Sequence, residues 1–280
     1  MNTRPWHLRK RDIAVLVLCL ACLISTLGVV GERGRRRAKE MVCQANLQQW
    51  HGIFQSYIAE NDGKFVSGCS ASGYWWPLQL TLEQQDWKRN RTWFCPTATT
   101  PTNDEHGKSS TTLTIFNAWG IFKPGAMTYQ GKTYFAGPNG LSGSYGLNGY
   151  VLNIPENGRY GGNMPAAYGW RDILSVTSAD RVPMFIDAIR FDLFPLHTDT
   201  PPEMESTVWT SINHMQRCCI NRHDGTVCCL FVDGSVRKVG LKELWTLKWH
   251  KSFNTAGPWT QAGGVWPEDW PWWMREFKDY

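Results

Sequence analysis

Between Ile13 and Val30 the chain runs for 18 residues without a charge, and no proline interrupts residues 12–60. As a helix, 18 residues rise roughly 27 Å against a hydrocarbon core of about 30 Å. The run therefore predicts a single membrane-spanning helix. Helical periodicity then continues: Cys43, Leu47, Trp50, Phe54 and Tyr57 recur at spacings of four and three, flanked by Ile53 and Ile58. That is an amphipathic helix, and Asn61-Asp62-Gly63 marks its end. Span and continuation together predict a rod of roughly 70 Å, with Gly28, Gly31 and Gly34 as the points where it can bend.

Two other readings of the apolar run are a cleaved signal peptide and a lipoprotein signal, since Leu20-Ala21-Cys22 has a faint lipobox pattern. A signal h-region typically extends about 7–15 residues and ends at a small-x-small site. Here the run is longer and closes on Gly28-Val29-Val30-Gly31, so a retained anchor is the preferred reading. Orientation is not set by charge, because Arg4, Arg9, Lys10 and Arg11 precede the run and Arg33, Arg35, Arg36, Arg37 and Lys39 follow it.

The same basic flanks explain the formal charge of +5: residues 1–40 hold nine Lys/Arg against three Asp/Glu, leaving −1 on the other 240 residues. A nucleic-acid binder carries its positive charge on the folded domain, where phosphates dock. Nucleic acid is accordingly not an expected partner.

From Lys64 onward, short apolar and aromatic runs alternate with Gly, Pro, Asn and Ser, which predicts short strands joined by long loops. Strands are expected at Arg181–Ile186, Val227–Val232 and Ser235–Val239. Asp233-Gly234 between the last two is a type I′ turn signal. A further strand, Met215–Ile220, is expected to pair with Val227–Val232 through the loop Asn221–Gly225, giving an antiparallel meander. The division anticipated is a tip, span and basic flank at 1–36, an amphipathic helix at 37–62, an α+β head at 63–255, and a Trp-rich tail at 256–280.

Several segments then fall into a familiar order. Cys43-Gln44-Ala45-Asn46-Leu47-Gln48-Gln49 is followed by Tyr57 with Asp62-Gly63-Lys64-Phe65, then by Trp93-Phe94-Cys95-Pro96 and Tyr145-Gly146-Leu147-Asn148-Gly149-Tyr150. A strand ending at Asp187 comes next. Last is Arg222-His223-Asp224-Gly225, with nine residues separating His223 from Asp233-Gly234. As an ordered set over residues 9–245, this resembles the prepilin-type, type II secretion pseudopilin-like proteins with a His-x9-Asp-Gly segment. The resemblance implies a pilin-like α+β fold, a long N-terminal helix on an antiparallel sheet. It also implies a bacterial inner-membrane anchor, a periplasmic or extracellular head, and other pilin-like subunits or secretion-system components as partners beside the lipid bilayer. The N-terminus departs from the pattern: Lys10-Arg11-Asp12 stands where the processing Gly is usual, and Leu16 where a Glu is usual. A stand-alone anchored protein recognising an envelope glycan or protein is the alternative.

His223, Asp233 and Asp187 are candidates for a small polar site, against the plainer reading in which Asp233-Gly234 serves the turn and His223 bonds its own loop. Cys218-Cys219 and Cys228-Cys229 lack CxxC spacing, and adjacent strand residues face opposite ways, so zinc is not expected there. They offer cross-strand disulfides, 218 with 229 and 219 with 228, or four reduced apolar side chains. Cys43 and Cys95 offer a bond between helix and head. The tail tryptophans suit sugar stacking, a membrane interface, or packing over the head. No nucleophile–base pair, phosphate loop or HExxH is present, so neither enzyme activity, nor a cofactor, nor a metal is expected.

Overall fold

The computed structural model describes residues 9–280 except 72, 74, 104, 105, 107, 109–113, 123, 124 and 206–211, and leaves the side chains of 12, 21, 23–30 and 162 undescribed. The chain divides into two compact units, residues 1–39 and 40–280. Helix α1 spans Lys10–Glu60. Within the first unit, Ile13, Val15, Leu16, Val17, Leu18 and Leu20 are all exposed. Among the described residues no helix is long and apolar enough to cross a membrane. The segment 13–30 expected to do so lies partly outside the described side chains.

The second unit is a mixed α+β fold. Its main sheet has five strands in the order β10-β6-β9-β11-β12: β6 is Tyr145–Asn148, β9 Pro183–Asp187, β10 Asp192–Leu193, β11 Thr226–Phe231 and β12 Val236–Gly240. All neighbours pair antiparallel except β10 with β6. A second sheet, β1-β2-β5, joins Thr100–Pro101, Asn117–Phe122 and Leu141–Gly143. Two small ribbons are β3–β4, Ala126–Tyr129 with Lys132–Phe135, and β7–β8, Arg159–Tyr160 with Met164–Pro165. A single-turn helix, α2, covers Leu82–Gln85 with Thr81 as its cap.

The amphipathic stripe becomes the spine of this unit. Cys43, Leu47, Trp50, Phe54 and Ile58 are buried, while Tyr57 is only partly so. The Trp50 ring lies 4.7 Å from that of Trp93 and 4.9 Å from that of Phe185 on β9. Its indole N–H donates to the Thr92 carbonyl at 2.9 Å. Aromatic rings thus lock the helix onto the sheet while the one polar atom of the indole keeps a partner.

Two sequence expectations are corrected. Met215–Arg217 forms a 3₁₀ turn rather than a strand, and β11 pairs with β9 and β12, so no meander begins at Met215. The β11–β12 hairpin is present, but its turn is not type I′. Gly234 N–H bonds the Phe231 carbonyl at 3.0 Å and Phe231 N–H bonds the Ser235 carbonyl at 2.9 Å. Only Gly234 has positive φ, +88°. This is a three-residue loop with a type I turn and a glycine bulge, an arrangement that Asp-Gly also satisfies.

The tryptophan tail belongs to the same compact unit. Trp270 and Trp273 are buried, with Trp270 packed 5.4 Å from both Trp245 and Trp259. Trp266 and Trp272 remain exposed, at 71% and 72%.

Candidate functional site

Four of the ordered segments each bring one side chain to a single buried point. Cys43 comes from α1, Cys95 from the turn after the 3₁₀ turn Arg91–Trp93, Asp187 from the end of β9, and His223 from the loop before β11. Their donor atoms all lie within 4.8 Å of one another, and all four residues are buried.

His223 Nε2 is 3.2 Å from Asp187 Oδ2 and 3.3 Å from Cys95 Sγ. Cys43 Sγ is 3.5 Å from Asp187 Oδ2 and 3.7 Å from Oδ1. A surrounding layer fixes these groups. Arg222 Nη1 approaches Asp187 Oδ1 at 3.5 Å, and the same guanidinium donates to the carbonyls of Ile115, Ser144 and Asn117 at 2.6–2.8 Å. The Cys228 N–H donates to Asp187 Oδ2 at 2.8 Å. The Tyr145 hydroxyl lies 3.3 Å from Cys43 Sγ, and the Thr97 hydroxyl 2.9 Å from Cys95 Sγ.

The electrostatics follow from this packing. Burial opposes ionisation of Asp187, but His223, Arg222 and the Cys228 N–H outweigh it and hold its pKa below the usual carboxylate value. Burial likewise opposes charge on His223, and the Asp187 carboxylate overrides it, raising the imidazole above its ordinary 6.5. Cys95 is buried as well, yet its contacts with Cys43 and His223 bring it down to about 6. Cys43, by contrast, is raised, first by burial.

Cys95, His223 and Asp187 superficially suggest a nucleophile–base–carboxylate relay, and the geometry argues against one. In such a relay the carboxylate holds one ring nitrogen and the nucleophile meets the other. Here a single nitrogen, Nε2, faces both. All four side chains are also buried.

The candidates read from the sequence separate accordingly. Asp187 and His223 meet, as the sharper reading had it. Asp233 does not join them: its Oδ1 accepts from the Ser235 N–H at 2.9 Å and hydroxyl at 2.6 Å, serving the turn. Gly234 is close-packed against His51 of α1, where an added Cβ would lie 2.6 Å from the ring. All nine cysteines are free thiols. The 218–229 and 219–228 disulfides are absent because Cys228 and Cys229 face Lys238 and Arg237 on β12, with Ile186 on the other side of Cys229. Cys43 and Cys95 do bring helix and head together, as unbonded thiols.

The clustering of Cys43 and Cys95 with Asp187 and His223 is invisible to spacing rules, because each residue sits on a different element. The available signal was positional: four of the landmark segments each contain one member, and a fifth contributes Tyr145. No protein-family model, curated protein or solved structure matches the chain.

Proposed function

We propose that the protein is a membrane-anchored structural component of a bacterial envelope, pseudopilin-like in build, in which α1 holds the 40–280 unit at the membrane surface and the chain performs no catalysis. The observation that carries this reading is the exposure of Ile13, Val15, Leu16, Val17, Leu18 and Leu20 on one helix. Six large apolar side chains within eight positions face outward all round the helix, and such a surface needs lipid or other helices to cover it. The ordered landmarks support a pseudopilin-like head, and the buried cluster supports a non-catalytic one.

The processing Gly and the Glu early in the helix are both missing, which favours an anchor that stays single over entry into a filament core. A stand-alone binding protein is the second reading, and exposed Trp266 and Trp272 supply its contact surface.

Replacing Leu18 and Leu20 with Arg tests the anchor, at a cost of about 2.5–3.5 kcal/mol for each arginine near a span centre. The double variant is expected to leave the membrane fraction, and unchanged fractionation would overturn the anchor. Mass spectrometry of the native N-terminus separates the two readings. An N-methylated residue after a short leader supports assembly with pilin-like subunits, whereas an intact Met1 on a monomeric membrane protein supports the stand-alone form.

A further inference from the structure

We propose that Cys43, Cys95, Asp187 and His223 form a closed structural zinc site that fastens α1 to the head. Tetrahedral zinc with bonds of about 2.0 Å to N or O and 2.3 Å to S places its ligand atoms about 3.3 Å apart for N–O and about 3.5 Å for S–N or S–O. The corresponding separations are 3.2 Å for His223 Nε2–Asp187 Oδ2, 3.3 Å for Cys95 Sγ–His223 Nε2 and 3.5 Å for Cys43 Sγ–Asp187 Oδ2. Hydrogen bonding alone gives a poorer account. One imidazole nitrogen carries at most one proton, so Nε2 can fully satisfy only one of its two partners. A cation at the shared centre satisfies all four donor atoms together.

The donor chemistry selects the metal. Two sulfurs and an imidazole disfavour calcium and magnesium, which take oxygen ligands, and a tetrahedral S₂NO set suits zinc. Four protein ligands leave no open position, which is the signature of a structural rather than a hydrolytic site. The surrounding layer is already in place: Arg222 holds the Asp187 Oδ1 side, leaving Oδ2 toward the centre, and the Tyr145 hydroxyl points at Cys43 Sγ. Two thiolates and one carboxylate against a dication and one guanidinium leave the buried cluster with no net charge, which a low-dielectric interior requires. The four ligands come from segments far apart in sequence, so the metal would close three large loops and act in place of disulfides.

Full-length protein, purified in detergent with a thiol reductant and without chelator, is expected to contain one zinc per chain by elemental mass spectrometry. Cobalt(II) added to the metal-stripped protein is expected to give a thiolate-to-metal charge-transfer band that saturates at one equivalent. Cys43→Ser and Cys95→Ser should abolish both signals, while Cys219→Ala, at a buried thiol whose charged neighbour is Cys218 and not any of the four, should keep them. Because ligand variants can fail to fold, the wild type carries a second measurement: a zinc chelator should lower its melting temperature, and zinc but neither magnesium nor calcium should restore it. A wild-type protein without zinc that shows no cobalt band and no chelator effect would overturn the site, as would full zinc retention in a folded Cys43→Ser/Cys95→Ser double variant.

Discussion

His223 Nε2 and Asp187 Oδ2 meet at 3.2 Å inside the head, with both side chains almost completely removed from solvent. Arg222, the residue before His223, reaches the other carboxylate oxygen at 3.5 Å. One acidic side chain thus contacts two consecutive basic residues, and those contacts pin the loop before β11 to the end of β9.

Removing the acid should therefore be costly. Asp187→Asn keeps the shape but leaves the Arg222 guanidinium buried among carbonyls without its counter-charge, and breaking a buried pair from one side typically costs about 3–5 kcal/mol. Urea unfolding of the variant should show a loss of that order. A loss under about 1 kcal/mol would mean that Asp187 is not ionised in the folded protein.

A pH response is expected from a different part of the core. His214 accepts the Phe194 N–H on Nδ1 at 3.1 Å, and burial lowers its pKa from 6.5 to about 3. The unfolded chain therefore takes up a proton near pH 6.5 that the folded chain refuses until about pH 3, and stability falls as pH drops through that window. His214→Asn, which keeps an acceptor near the Nδ1 position, should flatten this acid dependence relative to wild type in unfolding measured from pH 7 to 4. Parallel curves for the two proteins would show that His214 is not the titrating group. His250, lowered to about 4 by burial, adds a similar but separate contribution.

The β11–β12 turn gives a third expectation. Gly234 has φ +88°, and an added Cβ would lie 2.6 Å from His51 Cε1. Gly234→Ala combines left-handed strain of about 1–2 kcal/mol with a clash against α1. Adding His51→Ala should relieve the clash while the strain persists, so the double variant should be more stable than Gly234→Ala alone. Simple additivity of the two losses would show that the turn and the helix are energetically independent.

The tail tryptophans should divide by burial. Trp270 packs between Trp245 and Trp259 with the Lys242 ammonium 5.2 Å from its ring, so Trp270→Ala should cost about 3–5 kcal/mol. Trp266→Ala and Trp272→Ala, at exposed positions, should stay within about 0.5 kcal/mol. Comparable losses at all three positions, measured by denaturant unfolding, would contradict the packing described for Trp270.

Much of the architecture is legible in the sequence alone. Cys43, Leu47, Trp50 and Phe54 mark the buried face of α1 through helical period alone, and Asp233-Gly234 marks a hairpin, because both signals are local and depend on backbone geometry. Asp-Gly satisfies both a type I′ turn and a type I turn with a bulge, so the dipeptide marks the hairpin without fixing its turn type. Met215–Ile220 looked like a strand because a short apolar run does not distinguish an extended segment from a buried 3₁₀ turn.

What the sequence determined by itself was the period and polarity of its helices and strands, including the long N-terminal helix, and the position of its chain-reversing glycines. Only the tertiary structure decided which thiols face each other and which acid meets His223. Cys43, Cys95, Asp187 and His223 lie on four separate elements, so their meeting depends on how α1 and β11 dock against β9. That docking is governed by the fit of Trp50, Trp93 and Phe185, a matter of shape in three dimensions that no spacing along the chain encodes.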